Sequence, residues 1–414
     1  MMNEVRCTPN IRFPGFNSDW RKCKLSDVLE VVTKRNGTKY TKCDVLSVSD
    51  EYGCVNQIRF QGRSFAGDDI SNYKIVQTGD IVYTRSPLQA KPFGIIKLVT
   101  NETGIVSPLY IVNQALKDNS PEFIYYLFDS PIKTNNYLSP LVRKGAKNTM
   151  NISEEEWLSG EICITTSYEE QQKIADFLSS VDEVITACEA EVQNFETQKK
   201  AVMKKIFSQE VRFKREDGTD FPEWDIIKLS RLGNCKNGIN YSTKENVKTI
   251  RCLGVRDFKD KTYIDNIDEL SIISLSEIPA DDYLLQDGDI VFVRSNGNKS
   301  LVGRCVVVYP GQTKVTFSGF CIRLRLENSI IQNDFLLNVL KTEPMRKAMQ
   351  GRGSDIHNLN QAILDDLDIP IPCIEEQHLI ADFLSDFDEA VSAAKKELEL
   401  WKELKKGLLQ QMFV

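Results

Sequence analysis

The side chains of this chain able to do covalent chemistry are few: two histidines, His357 and His378, and eleven cysteines scattered singly from Cys7 to Cys373. A Ser–His or Cys–His mechanism needs an imidazole within hydrogen-bond reach of the nucleophile. His378 is a poor base for this, because its counterpart in a repeated segment is Gln172. No C-x-x-C pair occurs, so the cysteines are expected to be plain reduced thiols that hold no metal. Gly297-Asn298-Lys299-Ser300 lacks the upstream glycine and spacing with which a loop cradles phosphate. Gly351-Arg352-Gly353 precedes an Asn/Asp-rich turn and does not follow a strand, which argues against a dinucleotide or S-adenosylmethionine fold. Ser107-Pro108-Leu109-Tyr110, the string nearest to an adenine methyltransferase loop, becomes Ser318-Gly319-Phe320-Cys321 in the second copy and reads as a strand start. Carboxylates are plentiful, but no carboxylate–Lys cluster of nuclease type recurs. The expectation is a chain without catalysis of its own.

Non-covalent recognition remains. At 414 residues, 41% hydrophobic and 27% charged, the chain can form two sizeable cores. It shows no signal segment and no apolar run near the roughly 20 residues that cross a bilayer, so a cytoplasmic protein with no membrane association is expected. The net charge of −7 opposes binding to phosphate only if it is spread evenly. It is not. Residues 168–212 hold 6 basic and 9 acidic side chains and residues 375–414 hold 5 and 9, so these stretches carry the whole excess and the remainder is neutral. A locally basic groove is compatible with that distribution.

The elements that must position any binding residues are set by internal duplication. EEQQKIADFLSSVDEVI at 169–185 returns as EEQHLIADFLSDFDEAV at 375–391, and TGDIVYTRS at 78–86 returns as DGDIVFVRS at 287–295. Weaker echoes pair Phe13-Pro14 with Phe221-Pro222 and Trp20 with Trp224. Gly79 and Gly288 read as turn glycines. An apolar stripe spaced 4,3,4,3 runs through Ile174, Leu178, Val181, Ile185, Cys188, Val192, Phe195, Lys199, Val202 and Ile206. Its mate runs through Ile380, Leu384, Phe387, Val391, Ala394, Leu398, Trp401, Lys405, Leu408 and Met412. Both stripes put Lys at the eighth position, which predicts one coiled-coil seam used twice, with the two long helices paired antiparallel.

Before each helix the pattern is mixed α/β (α+β). Strands are predicted at 44–48, 80–85, 94–99, 105–112 and 161–165, and again at 250–255, 289–294, 303–308, 315–325 and 368–371. Short helices follow near 121–128 and 333–341. The expected organisation is a recognition module at 13–167, a helical spacer at 168–212, a second module at 213–373 and a second spacer at 374–414. Two divergent modules held apart by rigid helices suit two separated sites on an extended partner such as a DNA duplex.

This arrangement, with EEQxxIADFL opening a long helix that ends in KK twice in one chain, resembles the specificity subunit of type I restriction–modification systems. GDIVxxRS and the Asn-Leu-Asn turn at 358–360 before IPIP are also similar to that family, over essentially the whole chain from Phe13. The first copy departs in having Thr165-Thr166 where the second has Pro372. The resemblance implies two target recognition domains that read an asymmetric bipartite DNA sequence. It also implies docking to two modification (methyltransferase) subunits that methylate adenine and to restriction (translocase and nuclease) subunits. S-adenosylmethionine, ATP and Mg would then sit on those partners and no cofactor on this chain. A stand-alone pseudo-dimeric DNA-binding or adaptor protein is the alternative.

Base readers vary within such a family, so candidates come from side-chain chemistry: Arg for guanine, Asn or Gln for adenine, and Lys for phosphate. In the first module these are Lys34, Arg35, Lys39, Arg59, Gln61, Arg63, Arg143, Lys144 and Lys147. In the second they are Lys236, Asn240, Lys244, Arg256, Lys259, Asn296, Asn298, Lys299 and Arg352. Arg85 and Arg294 recur at a strand end in both copies, which fits a phosphate contact or a structural pair equally.

Overall fold

The computed structural model describes residues 7–88, 91–144, 150–241, 248–259, 261–350 and 358–414. The chain divides into two compact units, Met1–Ala190 with Lys395–Val414, and Glu191–Ala394. Among the described residues no helix is long and apolar enough to cross a membrane.

In the first unit the main elements are β1 (Trp20–Lys24), β2 (Leu29–Val31), β3 (Ile81–Thr84), β4 (Ile95–Leu98), β5 (Ile111–Ala115), α1 (Pro121–Asp129), α2 (Pro131–Leu138), β6 (Glu161–Thr165) and the start of α3 (Tyr168–Phe207). A four-stranded antiparallel sheet runs β2-β5-β3-β4. Successive side chains of a strand point to opposite faces, and here both faces are covered, which is why all of β3 is buried and Ile81–Tyr83 is apolar without alternation. Ile81 and Tyr83 join the core under α1 and α2, whereas Val82 packs with Leu46, Val76, Val106 and Val112 on the other side. Pro121 starts α1 where a missing N–H costs nothing, and the Ser120 hydroxyl caps it by accepting from Phe123 N.

The second unit repeats this plan with β7 (Asp225–Lys228), β8 (Gly233–Asn237), β9 (Tyr263–Ile264), β10 (Asp289–Val293), β11 (Cys305–Val308), β12 (Cys321–Leu326), α4 (Asn333–Lys341), β13 (Asp368–Ile371) and the start of α5 (Ile374–Met412). Its sheet runs β8-β12-β10-β11-β9, the same order with one strand added. Ile290 and Phe292 face one core, Val291 and Val293 the other.

The repeated Glu-Gln at each long-helix start belongs to this frame. Glu170 is fully buried and accepts from Arg12 Nη2 at 2.8 Å and from Trp20 Nε1 at 3.4 Å. Glu376, equally buried, accepts from Arg212 Nη2 at 2.8 Å and Trp224 Nε1 at 3.0 Å. Gln171 Oε1 accepts from Ser120 N while its amide donates to Thr165 O; Gln377 does the same with Gln332 N and Pro372 O. Phe13 meets Phe177 edge-on at 5.6 Å, as Phe213 meets Phe383. The mate of Phe13 is therefore Phe213, and the expected pairing with Phe221 is corrected. The Arg-to-Trp spacing is 8 residues in the first copy and 12 in the second, so the segments do not align without a gap, and the Phe-Pro echo fell on Phe221, eight residues past Phe213.

Each unit also holds the first turns of one long helix against the last turns of the other. In the first, Ile174, Ala175 and Leu178 share a core with Leu409, Met412 and Phe413, and Lys405 pairs with Asp182 at 2.7 Å and Lys402 with Glu189 at 2.8 Å. In the second, Ile380, Ala381 and Leu384 share a core with Ile206, and Lys199 pairs with Asp388. The recurring Lys thus meets the recurring Asp of the opposite helix in both units. Val181, Ile185, Cys188, Ala394 and Leu398 are buried, whereas Val192, Phe195, Phe387, Val391 and Trp401 are half-buried.

Several expectations are corrected. The runs 105–112 and 315–325 are not single strands: they break into Gly104–Val106 and β5, and into Val315–Phe317 and β12. Pro108 and Gly319 lie in the breaks, and the chain crosses from one small sheet to the main one there. The cysteines are not all free, because Cys7 and Cys163 form a disulfide across 156 residues with Cα atoms 5.5 Å apart. Their proximity follows from the docking of the N-terminal segment beside β6, which spacing in sequence does not reveal.

Candidate nucleic-acid interface

Antiparallel neighbours bring three segments to one end of each sheet: those leaving β2 and β3 and the one entering β5, or their counterparts at β8, β10 and β12. In the first unit that end carries Lys34, Arg35, Arg85 and Leu109. In the second it carries Asn240, Arg294, Asn296, Asn298 and Phe320. Leu109 is 70% exposed and Phe320 61%, large apolar side chains held in water at matched positions. An apolar side chain so placed is able to contact the thymine methyl at the edge of a base.

The second unit fixes this end through its backbone. Arg294 N donates to Phe320 O at 2.8 Å and Arg294 Nη1 to Gly319 O at 3.3 Å, so this arginine supports the turn that presents Phe320. Gly319 N donates to Ile239 O at 2.7 Å. A Cβ on Gly319 would lie 2.0 Å from Asn240 Oδ1, so the asparagine rests on the glycine. Leu359 N donates to Arg294 O, which draws the Asn-Leu-Asn turn to the same place, where Asn360 caps the helix Gln361–Asp365. In the first unit Arg85 Nε is buried without a hydrogen-bond partner among the described residues. The return to β4 closes tightly at Gly94, whose φ is +113° and where a Cβ would meet Thr84 O at 2.2 Å. The turn glycines Gly79 and Gly288 have φ of +92° and +87°.

Other sequence candidates lie elsewhere or are already engaged. Arg59 pairs with Glu102 at 3.0 Å, and Arg63 lies 4.6 Å from the Phe65 ring, beside the exposed helix-end Gln61. Lys39 lies over Tyr40 at 5.0 Å; Arg35, at the sheet end itself, is steadied there by Nη1 donating to Asn72 O at 3.0 Å. Arg143 pairs with Glu156, and Lys236 with Asp282 over the Tyr283 ring. Arg256 and Lys259 are exposed in the turns after Leu253, whose carbonyl accepts from Ser318 N, and Arg256 acts on Tyr241, so this candidate lies near the sheet end. Lys147, Lys244 and Arg352 lie outside the described residues, as do the side chains of Lys144 and Lys299. Leu109 and Phe320 were not legible from hydrogen-bonding chemistry, since neither side chain donates or accepts. The alignment of Ser107 with Ser318 was the signal that would have paired them.

Burial pushes the thiols of Cys54, Cys235 and Cys252 up to about 12, so each is protonated at neutral pH and unsuited to nucleophilic attack. Among the described residues no group of three or more His, Cys, Asp or Glu side chains is placed to hold a metal ion.

The family described as type I restriction modification DNA specificity domain matches twice, over residues 17–194 and 222–400. A putative type I restriction enzyme MjaX specificity subunit of Methanocaldococcus jannaschii is 30% identical over 217 residues, 50% of this chain and 49% of that protein. The EcoKI specificity subunit of Escherichia coli K12 is 26% identical over 202 residues, 48% of this chain and 38% of that protein. The matches thus span about half, or less, of these relatives' length. Among solved structures, the type I restriction–modification S subunit from M. genitalium superposes with a TM-score of 0.56 at 15% identity, covering 98% of this chain and 99% of that one. A chain from a structure of type I complex assembly and conformational transition gives 0.58 at 18%, covering 98% and 99%. At these identities the likeness is one of fold.

Proposed function

The chain belongs to the type I restriction modification DNA specificity family, whose domain it carries twice, and from that premise we propose that it recognises an asymmetric, bipartite DNA target for a methylation and cleavage complex. The carrying observation is the matched sheet end. One backbone frame, with Arg85 or Arg294 at the same strand end, presents exposed Leu109 in one unit and exposed Phe320 in the other, while the adjoining segments carry Lys34 and Arg35 in the first and Asn240, Asn296 and Asn298 in the second. Equal frames with unequal side chains suit two different half-sites, since side-chain identity at the groove sets the base read.

In this reading the chain is non-catalytic and cytoplasmic. The helices α3 and α5 pair along their length as an antiparallel coiled coil and set the separation of the half-sites. Two modification subunits transfer the methyl group to adenine using S-adenosylmethionine, and restriction subunits use ATP and Mg. Target recognition domains at 13–167 and 213–373 and spacers at 168–212 and 374–414 describe the division of labour. The reciprocal Lys405–Asp182 and Lys199–Asp388 pairs support the pairing. Methylome sequencing of cells with and without this chain tests the proposal. The expected result is one bipartite adenine motif that disappears with the chain, and an unchanged methylome would refute it.

A further inference from the structure

The starts of β3 and β10 are built alike except in one respect. Asp80 and Asp289 are both buried, at 2% and 1% exposure, and each accepts the backbone N–H three residues before it, from Gln77 at 2.8 Å and Gln286 at 2.7 Å. In the second unit Arg325 completes the site, with Nε and Nη2 donating to the two Asp289 oxygens at 2.8 and 2.7 Å. Strand register identifies its counterpart. Ile290 pairs with Leu324 and Ile81 with Asn113, so the residue facing Asp80 is Gln114. Gln114 is exposed and makes no side-chain hydrogen bond among the described residues, and only burial and the Gln77 N–H, with no described cation, act on Asp80. In its place the first unit has an open cleft of about 390 Å³ lined by Asp80, Gln114, Lys117, Asp118, Asn119 and Tyr168.

A buried carboxylate without a cation is costly, and this one shows it: burial raises Asp80 to about 6, although the Gln77 N–H acts to lower it. We propose that this cleft is a binding site for a guanidinium group, which sits on Asp80 as Arg325 sits on Asp289. The planar fork of a guanidinium matches a carboxylate bidentately, whereas Lys117, at the rim, offers only a point charge. A divalent metal is disfavoured because, among the described residues, no third carboxylate, His or Cys side chain stands with Asp80 and Asp118 in the lining. The guanidinium comes from an arginine side chain of a partner protein or from an arginine-like small molecule.

Calorimetric titration of the full chain with N-acetylarginine N-methylamide, against its neutral citrulline isostere, tests this. The arginine compound should bind saturably and at least about tenfold more tightly than the citrulline compound. Asp80→Asn should remove that preference. Gln114→Arg, which supplies in cis the fork already present in the other unit, should abolish binding while keeping or raising the melting temperature. Equal binding of the two compounds, no binding, or a preference unchanged in both variants would overturn the proposal. The two sources separate in the assembled complex. Loss of a copurifying protein on Gln114→Arg identifies a partner's arginine, and intact assembly with lost probe binding identifies a small molecule.

Discussion

Glu170 and Glu376 show how the repeat uses a charge where water is absent. Each is buried among an arginine and a tryptophan from the segment that precedes its sheet. Burial acts to raise Glu170, but hydrogen bonds from Arg12 and Thr165 prevail and hold it below the ordinary carboxylate range, while Glu170 raises Arg12 in turn. A group whose folded pKa is depressed stabilises the fold above its unfolded value and loses that contribution as pH falls through the folded value. The first unit should therefore lose stability below about pH 4, and Glu170→Gln should flatten that decline in a series of urea midpoints. Arg12→Ala leaves a buried charge uncompensated and should cost about 3–5 kcal/mol in urea unfolding at pH 7, as should Arg212→Ala in the second unit. An effect under about 1 kcal/mol would show that the pair is solvated. Asp80 has the opposite sign: its raised pKa makes the fold less stable as pH climbs from about 4 to about 6, and Asp80→Asn should remove that slope. The glutamates were legible as a recurring motif, but their partners were not, because Arg12 and Arg212 lie at different spacings from Trp20 and Trp224.

At the scale of elements, the long helices were plain in sequence because a seven-residue apolar period is unlike any strand pattern. Their observed bounds, Tyr168–Phe207 and Ile374–Met412, follow the stripes closely. The strands Glu161–Thr165 and Asp368–Ile371 and the helix Asn333–Lys341 were legible to the residue. The breaks at Pro108 and Gly319 were not, because an apolar run interrupted by three or four residues reads as one strand when both sheets it serves are buried. Those breaks set Leu109 and Phe320 in solvent, so the least legible element is the one that presents the candidate site. Leu178 and Leu384 sit fully buried at the start of each helix. Leu178→Asp with Leu384→Asp should lower the melting temperature by more than 5 °C, given several kcal/mol for each buried charge, and should abolish bipartite methylation. Unchanged assembly and target would remove the spacer role from the helices.

At the scale of the whole molecule, composition was the weakest guide. A net charge of −7 points away from DNA until it is located on the helical stretches. Duplication was the strongest guide, because two copies of one frame expose by contrast which residues differ. Charge alone selected many candidates that the fold engages in pairs, such as Arg59 with Glu102 and Lys236 with Asp282. The disulfide between Cys7 and Cys163 was hidden by its span. The central claim is that each unit reads its own half of the target. The measurement that bears on it most directly is the methylated motif in cells carrying Leu109→Ala or Phe320→Ala in this chain. The account predicts that Leu109→Ala relaxes one half-motif and Phe320→Ala the other, with the spacing between halves constant. Relaxation of both halves by either change, or of neither by both, would contradict it.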